Sequence, residues 1–274
     1  PILFTSTVWI VNFESFKIAL LPFMGVFQLF IGGVFALFIA NYLQYSWQKK
    51  GSFIISGTFV NMGGIGGLVC FMILGEEGFA YVPIYTLFVS LSFFCVGLPL
   101  TKMFSSANDN RINIGQSLLR GLKDIYVLVA LISIVIGILL NLSGIRRPDF
   151  FQQVNAILVP LTNYVILFSI GLGMRFSKIQ YYWSECWWIS LIRYLLVPAS
   201  VIALARLTGY HEIANGLLFK AIIILSAMPM ANNAVIAASL FDLNLDMANS
   251  CYLLTTVELI LVIPLLFLIT HHIV

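Results

Sequence analysis

The sequence predicts an all-α polytopic membrane protein. Hydrophobic residues fill 61% of its 274 positions and charged residues only 9%. Its apolar runs extend to the about 20 residues that a membrane-spanning helix needs at 1.5 Å rise per residue. Two of those runs are interrupted by glycine, proline and asparagine. A soluble globular chain carries about a quarter charged residues, because its surface must meet water. Here too few charges exist to coat a sphere, so much of the surface faces lipid. A β-barrel is excluded by run length: barrel spans are roughly ten residues of alternating polarity. Over twenty apolar residues, only a helix satisfies its own backbone hydrogen bonds in hydrocarbon.

In chain order, a partial run over 1–13 is followed by runs over 18–46, 53–75 and 79–101. A polar break extends from Ser105 to Lys123, and further runs cover 124–144, 151–174, 184–206, 212–241 and 247–270. This makes eight full spans and a fragment in a single transmembrane domain, 1–274. The run 18–46 is long enough to tilt or to include an interfacial turn. Ile114 to Lys123 sets Leu118, Leu119 and Leu122 beside Arg120 and Lys123, the pattern of a helix lying on the membrane surface or of a solvated linker. The chain opens at Pro1 without Met, which reads as a trimmed start.

Orientation follows from the basic residues of the short loops. One side carries Lys49, Lys50, Lys102, Arg111, Arg120, Lys123, Arg175 and Lys178; the other carries Lys17, Arg146, Arg147 and Arg206. Eight against four places the first set in the cytoplasm of a plasma (bacterial inner) membrane, with the C-terminus outside. The net charge of +3 is therefore a statement about topology, and no nucleic-acid partner is expected. Cys70, Cys95, Cys186 and Cys251 stand singly, and His211, His271 and His272 lack ligand spacing, so neither a disulfide framework nor a metal or other cofactor is expected. No Walker-type ATP loop, paired catalytic carboxylates or nucleophile–base arrangement is visible, so an enzyme or a primary pump is not indicated.

The two interrupted runs are unlike the rest. Gly57, Asn61, Gly63, Gly64, Gly66 and Gly67 crowd one span; Pro229, Asn232 and Asn233 follow one another in another. Proline removes a backbone donor and clashes with the preceding turn, and each interior glycine weakens a helix by about 1 kcal/mol. Both places are candidates for broken helices, which are tolerated at membrane depth only within protein or against a watery cavity. Glycine as a close-packing residue is the bland alternative. Two interruptions at matching places favour a binding site at their crossing. The runs 18–46, 53–75 and 79–101 correspond to 184–206, 212–241 and 247–270, with an interrupted run in the middle of each triplet. The helices over 124–174 intervene, and counting crossings makes the repeats, 18–101 and 184–270, inverted.

At this point the residues carry a resemblance. Ala227, Met228, Pro229, Asn232 and Asn233, continuing through Asp246, Thr255 and Pro264, resemble the auxin efflux carrier (PIN-like) membrane transport family, which is related in fold to the bile-acid/sodium symporters. Asn61, Gly63 and Gly66 match its first-repeat counterpart, and Gly137, Pro148, Ile170, Gly171 and Gly173 its middle spans. The resemblance implies a ten-helix inverted-repeat transporter with two broken crossing helices, here lacking the first helix and part of the second. Helices 124–174 would be scaffold and the triplets a moving domain. It also implies alternating-access transport, in the direction of efflux, of a small organic anion such as a carboxylate, bound by Asn61, Gly63, Gly66, Pro229, Asn232 and Asn233. Homodimerisation is compatible with it. Leu68 and Ile125 stand where the family usually has proline, and Glu258 replaces a usually uncharged residue.

Three charges fall within spans, where an unpaired one costs about 2.5–3.5 kcal/mol on insertion scales. Glu258 is read as the ion-coupling group for Na+ or H+, and Arg193 as a contact for an anionic substrate. The alternative is a purely structural Arg193–Glu258 pair. Lys220 either meets substrate or snorkels to the interface. Glu76, Glu77, Asp242 and Asp246 are expected to be solvated caps. The competing functional readings are a sodium- or proton-coupled exchanger centred on Glu258, and a ligand sensor that moves nothing.

Overall fold

A computed structural model describes residues 1–11, 13, 15–105, 125–172 and 176–272. Ile114 to Lys123, together with Arg111 and Arg175, lies outside the described residues. The described chain is helical: α1 (Ile2–Val8), α2 (Phe16–Tyr42), α3 (Trp47–Thr58), α4 (Met62–Phe79), α5 (Val82–Met103), α6 (Ile125–Leu142), α7 (Phe150–Leu172), α8 (Lys178–Leu207), α9 (Leu217–Ser226), α10 (Asn232–Leu240) and α11 (Leu245–His272). Five of them, α2, α4, α5, α8 and α11, are long and apolar enough to cross a membrane. The expected runs 53–75 and 212–241 are not continuous helices. Each is a pair, α3 with α4 and α9 with α10, separated by extended backbone.

Glycines decide how closely these helices approach. On α2, a Cβ on Gly32 would run into the carbonyl oxygen of Gly57, and one on Gly57 into the Cβ of Ala36. A Cβ on Gly25 would meet the carbonyl of Tyr85 on α5. In lipid, where apolar surface gains nothing by leaving the hydrocarbon, such small-residue contacts let backbones pack at short range.

Two packing groups result. In the first, α1 lies against α6 and α7: Thr5 Oγ1 donates to the Ser133 carbonyl at 3.1 Å, and Asn141 Nδ2 donates to the carbonyls of Trp9 and Val11 at 2.6 and 2.8 Å. The second holds α2 to α5 and α8 to α11, with both interruptions at its centre. The polar contacts between the groups converge on Glu76. Arg147 grips its carboxylate bidentately at 2.5 and 2.8 Å, and Asn155 Nδ2 donates to it at 2.7 Å. Asn155 in turn accepts from Ser6 Oγ at 2.9 Å, and Arg147 also donates to the Ser6 carbonyl at 3.1 Å. Glu76 is thus no solvated cap: the side chains of Arg147 and Glu76 are 11% and 12% exposed. Glu77 and Asp242 are exposed as expected. Asp246 lies in the first turn of α11, half-buried and paired with Lys178 at 2.5 Å. Beside the Glu76 cluster, a cavity of about 750 Å³ opens between Val11, Arg147 and Gln152 on one group and Glu77, Tyr81 and Asn215 on the other.

Candidate functional site

The centre of the second group is built by two chain breaks that bond to each other. Phe59 (φ −89°, ψ 130°) ends α3 in extended backbone, and Ala231 (φ −82°, ψ 147°) precedes α10 in the same conformation. Between them Val60 and Met230 form an antiparallel bridge. The Asn61 N–H donates to the Pro229 carbonyl at 2.9 Å, and the Ala231 N–H donates to the Phe59 carbonyl at 2.9 Å. The local causes are readable. Pro229 has no N–H and biases Met228 away from helix. Asn61 competes with helix by capping: its Oδ1 accepts from the Ile65 N–H at 3.2 Å. The buried N–H of Met230 is met by Thr255 Oγ1 of α11 at 3.3 Å. A break at this depth is tolerated because its freed groups find partners inside the protein.

The first break falls inside the stretch Gly57 to Gly67 that the sequence singled out. It falls at Phe59 to Asn61, ahead of the glycine cluster, and α4 begins directly at Met62 in a wide π-turn, Met62–Gly66. The glycines serve separate ends. Gly66 is buried, and a Cβ there would press on Leu225 and Met228 of the other broken pair at 3.0 Å each. Gly63 has open space around it and borders a cavity of about 200 Å³ with Phe4, Thr86, Ser90 and Val127.

Of the other residues singled out in the sequence, Pro229 is buried in the bridge, Asn232 is exposed at the first position of α10, and Asn233 is half-buried beside it. Among the described residues neither amide side chain has a hydrogen-bond partner, and no side chain caps α10. The start of α10 therefore presents unspent donors together with the positive end of a helix dipole, an arrangement that receives negative charge.

The charged residues do not pair as the structural alternative supposed. Arg193 is fully buried in a π-turn of α8, Ile192–Leu196, a helix irregularity frequent at functional sites. Its Nη2 donates to the carbonyls of Ser56 and Phe59 at 2.8 and 3.1 Å, while Nε and Nη1 have no hydrogen-bond partner among the described residues. Glu258, half-buried on α11, instead accepts from Ser190 Oγ of α8 at 2.6 Å. Glu258 stands one turn beyond Thr255, whose carbonyl accepts from Tyr194 Oη, so this carboxylate shares a helix face with the group that meets the bridge. Lys220 is set apart: half-buried on α9, it lies about 9 Å along the axis from Ser226, at 1.5 Å per residue, and has no polar partner among the described residues.

Gln28 is a residue that sequence reasoning passed over. Buried on α2, it donates from Nε2 to the carbonyls of Leu225 and Ser226 at 2.9 and 3.2 Å, and its Oε1 accepts from Tyr85 Oη at 2.7 Å. Its signal is an amide in the apolar middle of a helix whose other amide, Asn41, stands at its very end.

Known proteins resemble this chain over most of its length. An uncharacterized transporter of Methanothermobacter thermautotrophicus is 23% identical over 251 residues, covering 90% of this chain and 77% of that protein. An uncharacterized transporter of Methanocaldococcus jannaschii is 25% identical over 242 residues, covering 86% of this chain and 74% of that protein. The family described as membrane transport protein matches residues 122–267, more than half of the 274. With its interrupted helices and its apolar spans, the chain belongs to that family of membrane transporters, the auxin efflux carrier-like family that its Pro229 and Asn232 motif resembles.

Proposed function

We propose that this protein is a secondary transporter that carries a small organic anion, a carboxylate, by alternating access at the crossing of its two broken helices, with efflux as the direction. The observation that carries this reading is the bonded pair of interruptions with two unpartnered amides, Asn232 and Asn233, at the adjoining start of α10. Neutral amides and a helix N-terminus hold a carboxylate without the full desolvation cost of a buried ion pair. Asn61, Gly63, Gly66 and Pro229 shape the other side of that site.

The wider arrangement supports inverted repeats, α2 to α5 and α8 to α11. In each, the first helix caps the carbonyl end of the other's broken helix, Gln28 for α9 and Arg193 for α3. In this reading α1, α6 and α7 are the scaffold, whose exposed apolar residues, such as Ile132, Leu139 and Phe168, face lipid or a second copy of the chain. The membrane is the plasma membrane, inner in a bacterium, with Lys49 and Lys50 in the cytoplasm and the C-terminus outside.

Asn232→Ala and Asn233→Ala test the site. Each is expected to lower the affinity for organic acids at least tenfold in a radioligand binding assay while leaving the melting temperature near wild type, since neither amide has a hydrogen bond to lose among the described residues. Unchanged affinity in both variants removes the crossing as the binding site.

A second reading, coupling to Na+ or H+ at Glu258, is favoured by one observation: a half-buried carboxylate within a span, held among the described residues by Ser190 alone. Uptake of radiolabelled organic acids into proteoliposomes, with and without sodium and pH gradients, separates the two. Gradient-driven flux that vanishes in Glu258→Gln supports coupling there, and flux that survives makes Glu258 structural. Binding with no flux for any acid leaves the sensor.

A further inference from the structure

Each broken helix ends in carbonyls that no intrahelical donor can reach, and the C-terminus of a helix carries about half a negative elementary charge. In transporters with interrupted helices, such ends and the unwound carbonyls near them are where a coupling cation is held. Here both ends are already occupied by side chains, and by two different kinds. The end of α9 receives the neutral amide of Gln28, aligned by the Tyr85 hydroxyl. The end of α3 receives a guanidinium, Arg193, on the carbonyls of Ser56 and Phe59.

That guanidinium is unusual in what it lacks. It is fully buried, yet no carboxylate among the described residues forms an ion pair with it. A guanidinium keeps its proton in proteins, so the charge stays. Two of its nitrogens have no hydrogen-bond partner among the described residues. Were the residue only a tether, an amide would serve, as Gln28 does at the other end. The structure instead sets a full positive charge on a carbonyl pair, compensated by backbone dipoles. The Phe59 carbonyl that it grips also accepts from the Ala231 N–H, so the charge sits against the bridge itself.

We infer that Arg193 is a positioning residue that acts as a built-in cation: it holds the carbonyl end of α3 as a bound metal ion would, and its removal leaves a vacant cation site formed by the Ser56 and Phe59 carbonyls. The inference rests on the transporter reading only for its bearing on substrate binding; the charge arrangement is testable without any substrate.

The test is the melting temperature of purified protein in detergent, in sodium, potassium or choline chloride at equal ionic strength. Wild type and Arg193→Lys are expected to melt at the same temperature in all three salts. Arg193→Gln is expected to melt several degrees lower in choline and to recover with a saturating dependence on one of the alkali cations. A sodium- or potassium-specific rise in the wild type overturns the inference, because the end of α3 would then already be served by an ion. An equal loss in all three salts for Arg193→Gln overturns it in favour of a tether. If Arg193→Gln yields no folded protein in any salt, Arg193→Lys decides: normal, salt-indifferent melting supports a fixed charge, and loss of folding there overturns it. Failure to find flux for any acid leaves these outcomes untouched and bears on transport alone.

Discussion

Gly57→Leu is expected to prevent the protein from reaching a monodisperse folded state, with a loss of more than about 3 kcal/mol, since added bulk in a packed core costs about 1–3 kcal/mol even where neighbours relax. Relaxation is not available here. The first atom added, Cβ, already meets the Ala36 Cβ and comes within 3.2 Å of the Gly32 carbonyl oxygen. Those atoms belong to α2, itself fixed across α5 by the Gly25 and Tyr85 contact. Moving α3 outward to make room would pull the Ser56 and Phe59 carbonyls from Arg193, so the damage reaches the crossing. Size-exclusion profiles and melting curves in detergent check this. Gly63→Ala is the control: its Cβ has nothing within 4 Å, and it should fold as wild type. Normal melting of Gly57→Leu would mean that α2 and α3 do not touch there.

Glu76→Ala should destabilise the protein by about 3 kcal/mol, the scale of losing hydrogen bonds to a charged group and stranding its partner. The carboxylate receives both arms of Arg147 and the amide of Asn155, and these in turn hold Ser6, so one change unsatisfies several groups at once. Glu76→Gln should cost less, since it keeps the shape and one acceptor. In a double-mutant cycle with Arg147→Ala, followed by thermal unfolding, the coupling should exceed about 1.5 kcal/mol, within the range for residues sharing a network. Additive single losses would show that the pair contributes nothing of its own. Because Glu76 belongs to α4 and Arg147 precedes α7, this cycle also measures how firmly the two packing groups are joined.

Much of this architecture was legible in composition and run length, because hydrocarbon leaves the backbone so few choices. Pro229 announced the second break by its missing donor. The first break was announced by the glycines but is not made by them. Asn61 makes it, together with a bridge to Met230 whose partner lies far along the chain, and no local pattern displays such a pairing. Arg193 and Glu258 invited each other as an ion pair because both are charged and mid-span. Backbone carbonyls freed by the break took Arg193 instead, and a sequence read for side chains does not show free carbonyls. Glu76 looks solvated in the sequence for a similar reason. Gly75, at φ +69°, turns the end of α4, and Arg147 arrives from a distant loop to meet it. The amides of Asn232 and Asn233 were visible as residues, while their lack of partners is a property of the fold.

The bridge between Val60 and Met230 has a mechanical meaning. Four helices, three of them too short to span a membrane, are spliced there into a single cross-shaped truss. The splice is made by main chain on both sides, so no side-chain rotamer change can unlock it. Bending one arm of the truss must carry the opposite arm with it. Relative motion in this molecule is therefore displaced outward from the splice to the seams where arm meets neighbour, as a stiff hub transfers rotation to its rim.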